Sequence, residues 1–328
     1  MSAAVSSPLR PSSLRSRLEA AGLFQIYGVL LLVLVVSWAL IILTGGNINV
    51  TNTLVRSVAL GIVAVGQTYV IIGGSLDLSV AYQVSITAVL ASIIMDGSTA
   101  RIWLAVPAVI AVGAVIGIIN GVIITKFHIN AFIATLGTSL IMRGALNATV
   151  NNYAGAVPPE FQRLGYGTFL GVPVSILLLL AVVAVGWFIL RYTRFGHHLY
   201  AVGASDDAAR LSGVRSDRVL ILAHVFCSVT AVLTGLFIVS RLSAGAPWVG
   251  PDGNYDLESI AAVVLGGTAL MGGRGGVLGT FAGVLILALL DNAFNQLQVN
   301  PLLKDVVRGV IIIAAVAALT IRQRGRIP

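Results

Sequence analysis

The sequence predicts an all-α fold, a polytopic membrane helix bundle with about ten transmembrane or re-entrant helices. Two features of composition indicate this class. Of the 328 residues, 57% are hydrophobic and only 10% are charged, whereas soluble domains average about 25% charged residues. The 36 glycines are typical of membrane helices that pack closely. An ordinary soluble enzyme and a disordered chain are excluded, because both keep far more charge in contact with water. The single cysteine, Cys227, excludes a disulfide within one chain.

Each predicted helix corresponds to an apolar run, because a membrane-spanning helix needs about 20 mostly apolar residues. The clear uncharged runs, in chain order, are 23–44, 57–74, 78–95, 102–125, 168–190, 219–240 and 275–290. The weaker runs are 131–150, 259–273 and 302–321. We expect the shorter runs to be tilted or re-entrant, so that some of them do not cross the membrane.

The links between these runs carry the Lys and Arg residues unevenly, with most of them on alternate links and in the two tails. By the positive-inside rule, this asymmetry predicts that the N- and C-termini are both cytoplasmic. The predicted organisation is a basic tail over 1–22, a single transmembrane domain over 23–321 and a basic tail over 322–328. The one long cytoplasmic link is 191–218. The bases are too scattered for the net charge of +8 to indicate nucleic-acid binding.

Motifs for catalysis and for metal binding are missing from the sequence. A P-loop needs a Lys that follows a Gly-rich turn, and neither of the two lysines, Lys126 and Lys304, stands in that context. His197 and His198 are adjacent and point in different directions, so they are interpreted as interfacial residues and not as metal ligands. We therefore predict that the chain is not an enzyme and has no catalytic residue, metal site or cofactor of its own. Energy for any work must come from another protein or from an ion gradient.

Two carboxylates lie within or beside the apolar runs, Asp77 and Asp291. Ionisable residues inside a membrane are costly and commonly functional, so an ion-coupled secondary carrier that uses both is one hypothesis. The alternative is that both lie at helix ends, where Asp77 would help Ser75 or Ser79 to cap the next helix.

The long cytoplasmic link contains the signals of a short helix over 206–212. Ser205 is a good N-cap, Asp206 and Asp207 favour the first turn, and Gly213 can adopt the left-handed conformation that ends a helix. A helix of about two turns is too short to be stable alone, so we expect it to dock against something. Its apolar residues, Ala208, Ala209, Leu211 and Val214, suit a small protein socket better than lipid. A helix that only lies on the membrane surface is the alternative.

Four stretches of the chain together resemble one known family. They are 64–80, which contains Gly73-Gly-Ser-Leu-Asp-Leu-Ser-Val, then 128–137 with Arg143-Gly144 after it, then 193–214, and finally 255–280. In this order they resemble the permease subunit of ribose-, xylose- and arabinose-type ABC sugar importers, over about 50–321 of the chain. The chain departs from the family pattern at Ser75 and Ala81, where glycine is usual, and at Asp291, Ala293 and Phe294, where Asn, Gly and Leu are usual.

The resemblance implies a permease subunit in the bacterial cytoplasmic (inner) membrane that moves a monosaccharide inward by alternating access. It implies three partners: a cytoplasmic ATPase that binds ATP and Mg, a periplasmic or extracellular sugar-binding protein, and a second permease copy or paralogue. It also implies that the short helix is the coupling helix that meets the ATPase, with the residues Ser205, Asp206, Asp207, Ala208, Ala209, Arg210, Leu211 and Gly213. Related permeases carry branched-chain amino acids or nucleosides, so both substrate classes remain alternatives, as does a membrane scaffold with no transport role.

Polar residues within the apolar runs are candidates for the lining of a translocation path. They are Gln67, Thr68, Asp77, Asn120, Asn292 and Asn295. Each could instead make a helix–helix hydrogen bond. Because charged and aromatic residues are scarce in the runs, we expect no strong sugar site in this chain, so that specificity lies mainly in the external binding protein.

Overall fold

The computed structural model describes residues 49–300 and, beyond this range, Val35, Leu303, Lys304, Val306, Gly309 and Val310. The regular secondary structure of the described part is helical apart from one short hairpin, so the all-α prediction is confirmed for it. The predicted runs 23–44 and 302–321 and the tails 1–22 and 322–328 lie almost wholly outside the described residues. The count of about ten helices and the cytoplasmic termini therefore stay predictions.

The helices follow one another with short connections. In chain order they are α1 (Val50–Ile72), α2 (Val80–Met95), α3 (Ile102–Lys126), α4 (Ala131–Thr149), α5 (Pro159–Tyr166), α6 (Val174–Tyr192), α7 (Arg194–Ala204), α8 (Asp206–Leu211), α9 (Ser216–Leu242), α10 (Val249–Asp252), α11 (Tyr255–Leu265) and α12 (Val277–Gln296). A 3₁₀ turn, Thr99–Arg101, leads into α3, and the antiparallel strands β1 (Thr168–Phe169) and β2 (Val172–Pro173) precede α6.

Within the described residues, five helices are long and apolar enough to cross a membrane: α1, α3 with its 3₁₀ turn, α6, α9 and α12. The helix α2 is equally apolar but has only 16 residues, which span about 24 Å at 1.5 Å per residue. It is therefore shorter than the hydrocarbon core of a typical bilayer, about 30 Å.

Two predicted boundaries are wrong, and the long link contains more helix than predicted. The run 168–190 does not begin as a helix, because the hairpin occupies its first residues and α6 begins after Pro173. The run 259–273 is helical only as far as Leu265, where the Gly266-Gly267 pair ends α11. The link 191–218 contains the predicted short helix as α8 and, before it, the unpredicted helix α7.

The helix α9 forms the centre of the bundle and packs against α1, α2 and α3. Its contact with α3 is close because three glycines one helical turn apart, Gly113, Gly117 and Gly121, face it. A Cβ on Gly117 would lie only 2.7 Å from the Cα of Val225, which is closer than real Cβ atoms approach. Small residues at such spacing let two membrane helices approach with their backbones nearly in contact.

Two helices, α1 and α11, end in turns with the same hydrogen bonds. After α1, Gly74 N donates to Ile71 O and Ser75 N donates to Val70 O. After α11, Gly267 N donates to Val264 O and Thr268 N donates to Val263 O. This is the Schellman arrangement, which needs a left-handed residue, and Gly74 and Gly267 have φ of +80° and +83°.

The α3–α9 contact gives a first prediction. We expect Gly117→Ala to lower the thermal unfolding midpoint of the protein in detergent, because overpacking costs about 1–3 kcal/mol. Gly137→Ala on α4 is the matched control, because nothing lies within 4 Å of the added Cβ. The control should leave the midpoint unchanged or raise it, since Ala favours helix over Gly by about 1 kcal/mol. Equal midpoints for the two variants would contradict the close contact.

Candidate functional site

The non-helical segment between α1 and α2 places a carboxylate in the interior of the bundle. Asp77 is fully buried. Its Oδ1 accepts hydrogen bonds from the backbone N–H of Ser79 at 2.9 Å and from the Ser79 hydroxyl at 2.5 Å. Its Oδ2 lies 3.3 Å from Nδ1 of His224, on α9. The carboxylate thus occupies the N-terminus of α2, where the helix dipole favours negative charge.

Ser79 connects this carboxylate to two further helices. The Ser79 hydroxyl accepts from Nε2 of Gln83 at 2.7 Å and from Nδ2 of Asn120, on α3, at 2.9 Å. The Asn120 carbonyl in turn accepts from the Thr138 hydroxyl, on α4, at 2.7 Å. We call Asp77, Ser79, Gln83, Asn120 and His224 the polar hub. All five side chains are buried, and they join α2, α3 and α9.

His224 was missed by the sequence reasoning, although a histidine in the middle of an apolar run is an intramembrane ionisable group and so a signal in itself. Its ring bridges two polar groups, with Nδ1 toward Asp77 and Nε2 at 3.0 Å from the Ser75 hydroxyl. The tautomer with the proton on Nδ1 donates to Asp77 and accepts from Ser75, so that every polar atom of the ring is used.

The helix-end interpretation of the two carboxylates is correct for only one of them. Asp77 stands just before α2 and accepts the Ser79 N–H, as predicted, whereas Ser75 contacts His224 and not the cap. Asp291 is partly buried and does not end a helix, because α12 continues to Gln296.

The other predicted path residues divide into two groups. Gln67 and Thr68 are fully buried on α1. Gln67 accepts from the thiol of Cys227 at 3.4 Å, and the Thr68 hydroxyl is 2.7 Å from that of Thr280. Asn292 is partly buried, and Asn295 is exposed and accepts from Lys304. Among the described residues, no hydrogen bond joins Asn292 or Asn295 to the polar hub.

The short helix predicted in the long link is present as α8. The Ser205 hydroxyl accepts from Ala208 N at 3.3 Å, and Gly213 has φ of +83°. The sequence reasoning overestimated the apolar surface that this helix exposes. Ala209 is buried and Val214 is partly buried, both against the bundle, whereas Leu211 is 91% exposed. The face that is free for a partner therefore contains Leu211, Ala208 and Asp207.

Ion pairs fasten α8 to two of the hub helices. Arg210 donates to Asp206 at 3.0 Å and to Asp217, at the start of α9, at 2.5 Å. Lys126, at the end of α3, donates to the same Asp217 carboxylate at 2.6 Å. The hydrogen bonds to Asp217 and Asp206 raise the pKa of the Arg210 guanidinium. Asp217 therefore joins α8, α9 and α3 at one point.

A second connection runs from α7 to the segment that carries Asp77. Gly203, near the end of α7, lies so close to α1 that a Cβ on it would overlap the carbonyl oxygen of Ile72. The same carbonyl accepts from Gly273 N at 2.8 Å. A Cβ on Gly272 would lie 2.9 Å from the Cα of Gly74 and 2.8 Å from the Gly203 carbonyl. The end of α1, the end of α7 and the stretch that contains Gly272 and Gly273 thus pack with their backbones in contact, close in sequence to Asp77.

In the part of the chain that the structure describes, no group of three or more His, Cys, Asp or Glu side chains could hold a metal ion. His197 and His198 lie exposed on α7, and Nδ1 of His197 is 2.7 Å from the carbonyl of Thr193, one turn earlier in the chain.

The apolar helices, the buried polar hub and the exposed α8 define a multi-pass membrane protein. The family described as the permease component of the branched-chain amino acid transport system matches residues 49–316, and the chain belongs to this family. The match spans every element described above.

Individual relatives are import permeases for sugars. The chain is 38% identical to the ribose import permease protein RbsC of Escherichia coli K12, over 82% of this chain and 84% of that protein. It is 34% identical to the L-arabinose permease AraH of the same strain, over 81% and 80%, and 31% identical to its galactose/methyl galactoside permease MglC, over 95% and 97%. No solved structure matches the chain significantly. The resemblance to sugar-importer permeases is therefore confirmed.

The Asp217 ion pairs give a second prediction. We expect Asp217→Asn to raise the rate of backbone hydrogen exchange over 205–215 several-fold, because it removes the acceptor that Arg210 and Lys126 share, and such exposed pairs are individually weak. Asp207→Asn is the matched control, since Asp207 is an exposed acid of the same helix. Its replacement should change the exchange rate less. Equal effects of the two variants would show that the ion pairs of Asp217 do not hold α8 in place.

Proposed function

We propose that this chain is the transmembrane permease subunit of an ABC importer, which moves a monosaccharide into the cytoplasm by alternating access. A separate ATPase subunit would drive the cycle and would bind ATP and Mg. The observation that carries this proposal is the attachment of α8: a capped, exposed helix is fastened to the same helices, α3 and α9, that hold the polar hub. A displacement of α8 by a partner would therefore be transmitted through α3 and α9 to the interior of the bundle.

The coupling role is assigned to the exposed side of α8 and to its caps. Leu211 and Ala208 would enter a socket of the ATPase, and Asp207 would face its rim. Ser205 and Gly213 would hold the helix ends, and Arg210 with Asp206 would connect the helix to Asp217. Ala209 supports the helix from beneath, because it is buried against the bundle.

A monosaccharide is the preferred substrate because the buried polar groups suit a neutral solute. In the described residues, no Lys or Arg is buried, so no permanently cationic side chain is placed to pair with the carboxylate of an amino acid. The N-terminus of α2, which could hold such a carboxylate, is already occupied by Asp77. The names of the ribose, arabinose and galactose relatives agree with this choice. Branched-chain amino acids and nucleosides remain the alternatives within the family.

The complete importer would contain a second permease copy or paralogue and a periplasmic or extracellular sugar-binding protein, in the bacterial cytoplasmic (inner) membrane. The polar connection from Arg241 to Glu258, which contains α10, is the surface proposed for that binding protein. It lies at the opposite end of α9 from Asp217 and α8.

The competing hypothesis is an ion-coupled carrier that uses Asp77 and Asp291. The buried pair of Asp77 and His224 is compatible with proton coupling as well as with a structural role, so experiment has to separate the two mechanisms.

A reconstitution experiment separates the two mechanisms and gives a third prediction. In proteoliposomes with the chain, its ATPase and its binding protein, we expect uptake of labelled D-ribose, L-arabinose or D-galactose to require ATP hydrolysis. A protonophore should leave the rate of this uptake unchanged. Vesicles with the chain alone are the control and should not accumulate sugar. Uptake that persists without the ATPase and collapses with the protonophore would favour the carrier.

The left-handed C-terminal cap of α8 gives a fourth prediction. Gly213→Val should reduce co-purification with the ATPase and ATP-driven uptake, because a β-branched residue at positive φ costs about 1–2 kcal/mol. Nothing lies within 4 Å of the added Cβ, so the effect would be one of backbone strain and not of collision. Gly213→Asn is the control and should retain both activities, since Asn tolerates this conformation. Full co-purification of the Val variant would remove the cap from the coupling role.

A further inference from the structure

The polar hub contains more hydrogen-bonding capacity than its internal bonds use. In the described part of the chain, the Gln83 carbonyl oxygen is buried without a hydrogen-bond partner, and so are Nε2 of Gln67 and the Ser228 hydroxyl. Gln83 belongs to the hub, Gln67 contacts Cys227, one helical turn after His224, and the Ser228 hydroxyl lies against Gly117 of α3. A buried polar atom without a partner costs about 1–3 kcal/mol. Several such atoms in one region suggest that they are used in another state of the molecule.

The chemistry of the hub matches hydroxyl groups. A sugar hydroxyl donates one hydrogen bond and accepts others, so it needs neighbours of both kinds. The Asp77 carboxylate and the amide oxygen of Gln83 are acceptors. The amide nitrogens of Asn120 and Gln67 are donors, and the His224 ring offers both kinds of atom. Convergent polar groups within an apolar surround are the usual composition of a small-molecule site.

The helix arrangement places these groups where a path could open. The hub lies where the α1–α2 connection interrupts the helical backbone, beside the short helix α2. Interrupted helices of this kind commonly form the solute site of transporters near the middle of the membrane. The hub bonds join α2, α3 and α9, so separating these helices would break them and expose their polar atoms.

We propose that the polar hub is a binding site for a neutral, polyhydroxylated solute, whose hydroxyl groups replace the bonds among Asp77, Ser79, Gln83, Asn120 and His224 when the path opens. This inference rests on the proposed import function and revises the expectation that the chain has no strong sugar site. Asp77, Gln83 and Asn120 contact the solute. His224 is a positioning residue that orients the Asp77 carboxylate.

The single native cysteine is a reporter for this site. Cys227 is fully buried and contacts Gln67, so its alkylation reports whether this part of the interior opens. The permease reconstituted with its ATPase is treated with N-ethylmaleimide in nucleotide-free and nucleotide-bound states, and labelling of this chain is measured by mass spectrometry. We expect one state to label faster, and we expect D-ribose, L-arabinose or D-galactose to slow that labelling whereas L-leucine does not.

Two matched variants separate solute contact from a change of conformation. Asn120→Ala should weaken the protection by sugar roughly two- to tenfold, as the loss of one hydrogen bond predicts. Thr125→Ala, five residues later on α3, should leave the protection unchanged, because the Thr125 hydroxyl bonds only to Gly121 of its own helix. His224→Asn should alter the relative protection by the three sugars more than the rate of labelling without sugar.

Each outcome decides the inference. Labelling of Cys227 that is the same in every state and with every solute would overturn it, as would protection by leucine alone. If uptake of sugar by the same vesicles is ATP-dependent while Cys227 stays unprotected, the polar hub is rejected and the import function stands. If uptake does not depend on ATP, the proposed function itself fails.

Discussion

Segment 73–79 carries non-helical backbone and the Asp77 carboxylate into a bundle of apolar helices, where every polar group must find its partner within the protein. Most of the interior is arranged around this constraint. The Schellman turn satisfies carbonyls at the end of α1, the Asp77 carboxylate satisfies the N–H of Ser79 just before α2, and His224 and Ser79 satisfy the carboxylate. Taking away any of these partners would leave a polar group buried in an apolar surround, at a cost of about 1–3 kcal/mol.

Close approach of helices makes this arrangement possible. The close contact of α3 with α9 along Gly113, Gly117 and Gly121 brings Asn120 and His224 onto neighbouring helices, from which they bond to Ser79 and Asp77. Larger residues would push the two helices apart and so move Asn120 and His224 relative to the segment that carries Asp77 and Ser79. The glycines therefore serve the polar bonds as well as the packing.

The exposed helix α8 and the polar hub are attached to the same two helices, α3 and α9, which gives the molecule a physical route for coupling. Movement of α8 acts on Asp217, and thus on the ends of α3 and α9, through ion pairs. Movement of α7 acts on Gly74 and Ile72, and thus on the segment that carries Asp77, through backbone contacts at Gly203 and Gly273. The two routes differ in kind: salt screens exposed ion pairs, whereas close-packed backbone transmits displacement directly.

The sequence by itself determined the features that depend on neighbouring residues. Runs of apolar residues indicated the membrane class and most helix positions, and the order Ser205, Asp206, Asp207 and Gly213 indicated α8 with both of its caps, because helix ends are set by local hydrogen bonds. It also identified Asp77 and Asn120 as polar residues in apolar surroundings.

The partners of these polar residues could not be predicted from the sequence. Asp77 and His224 are 147 positions apart, and an apolar helix shows no periodic face that would say which side meets which neighbour. For the same reason, only the tertiary structure decided that Ala209 faces inward, that Asp217 joins three helices, and that Asn292 and Asn295 stand outside the hub.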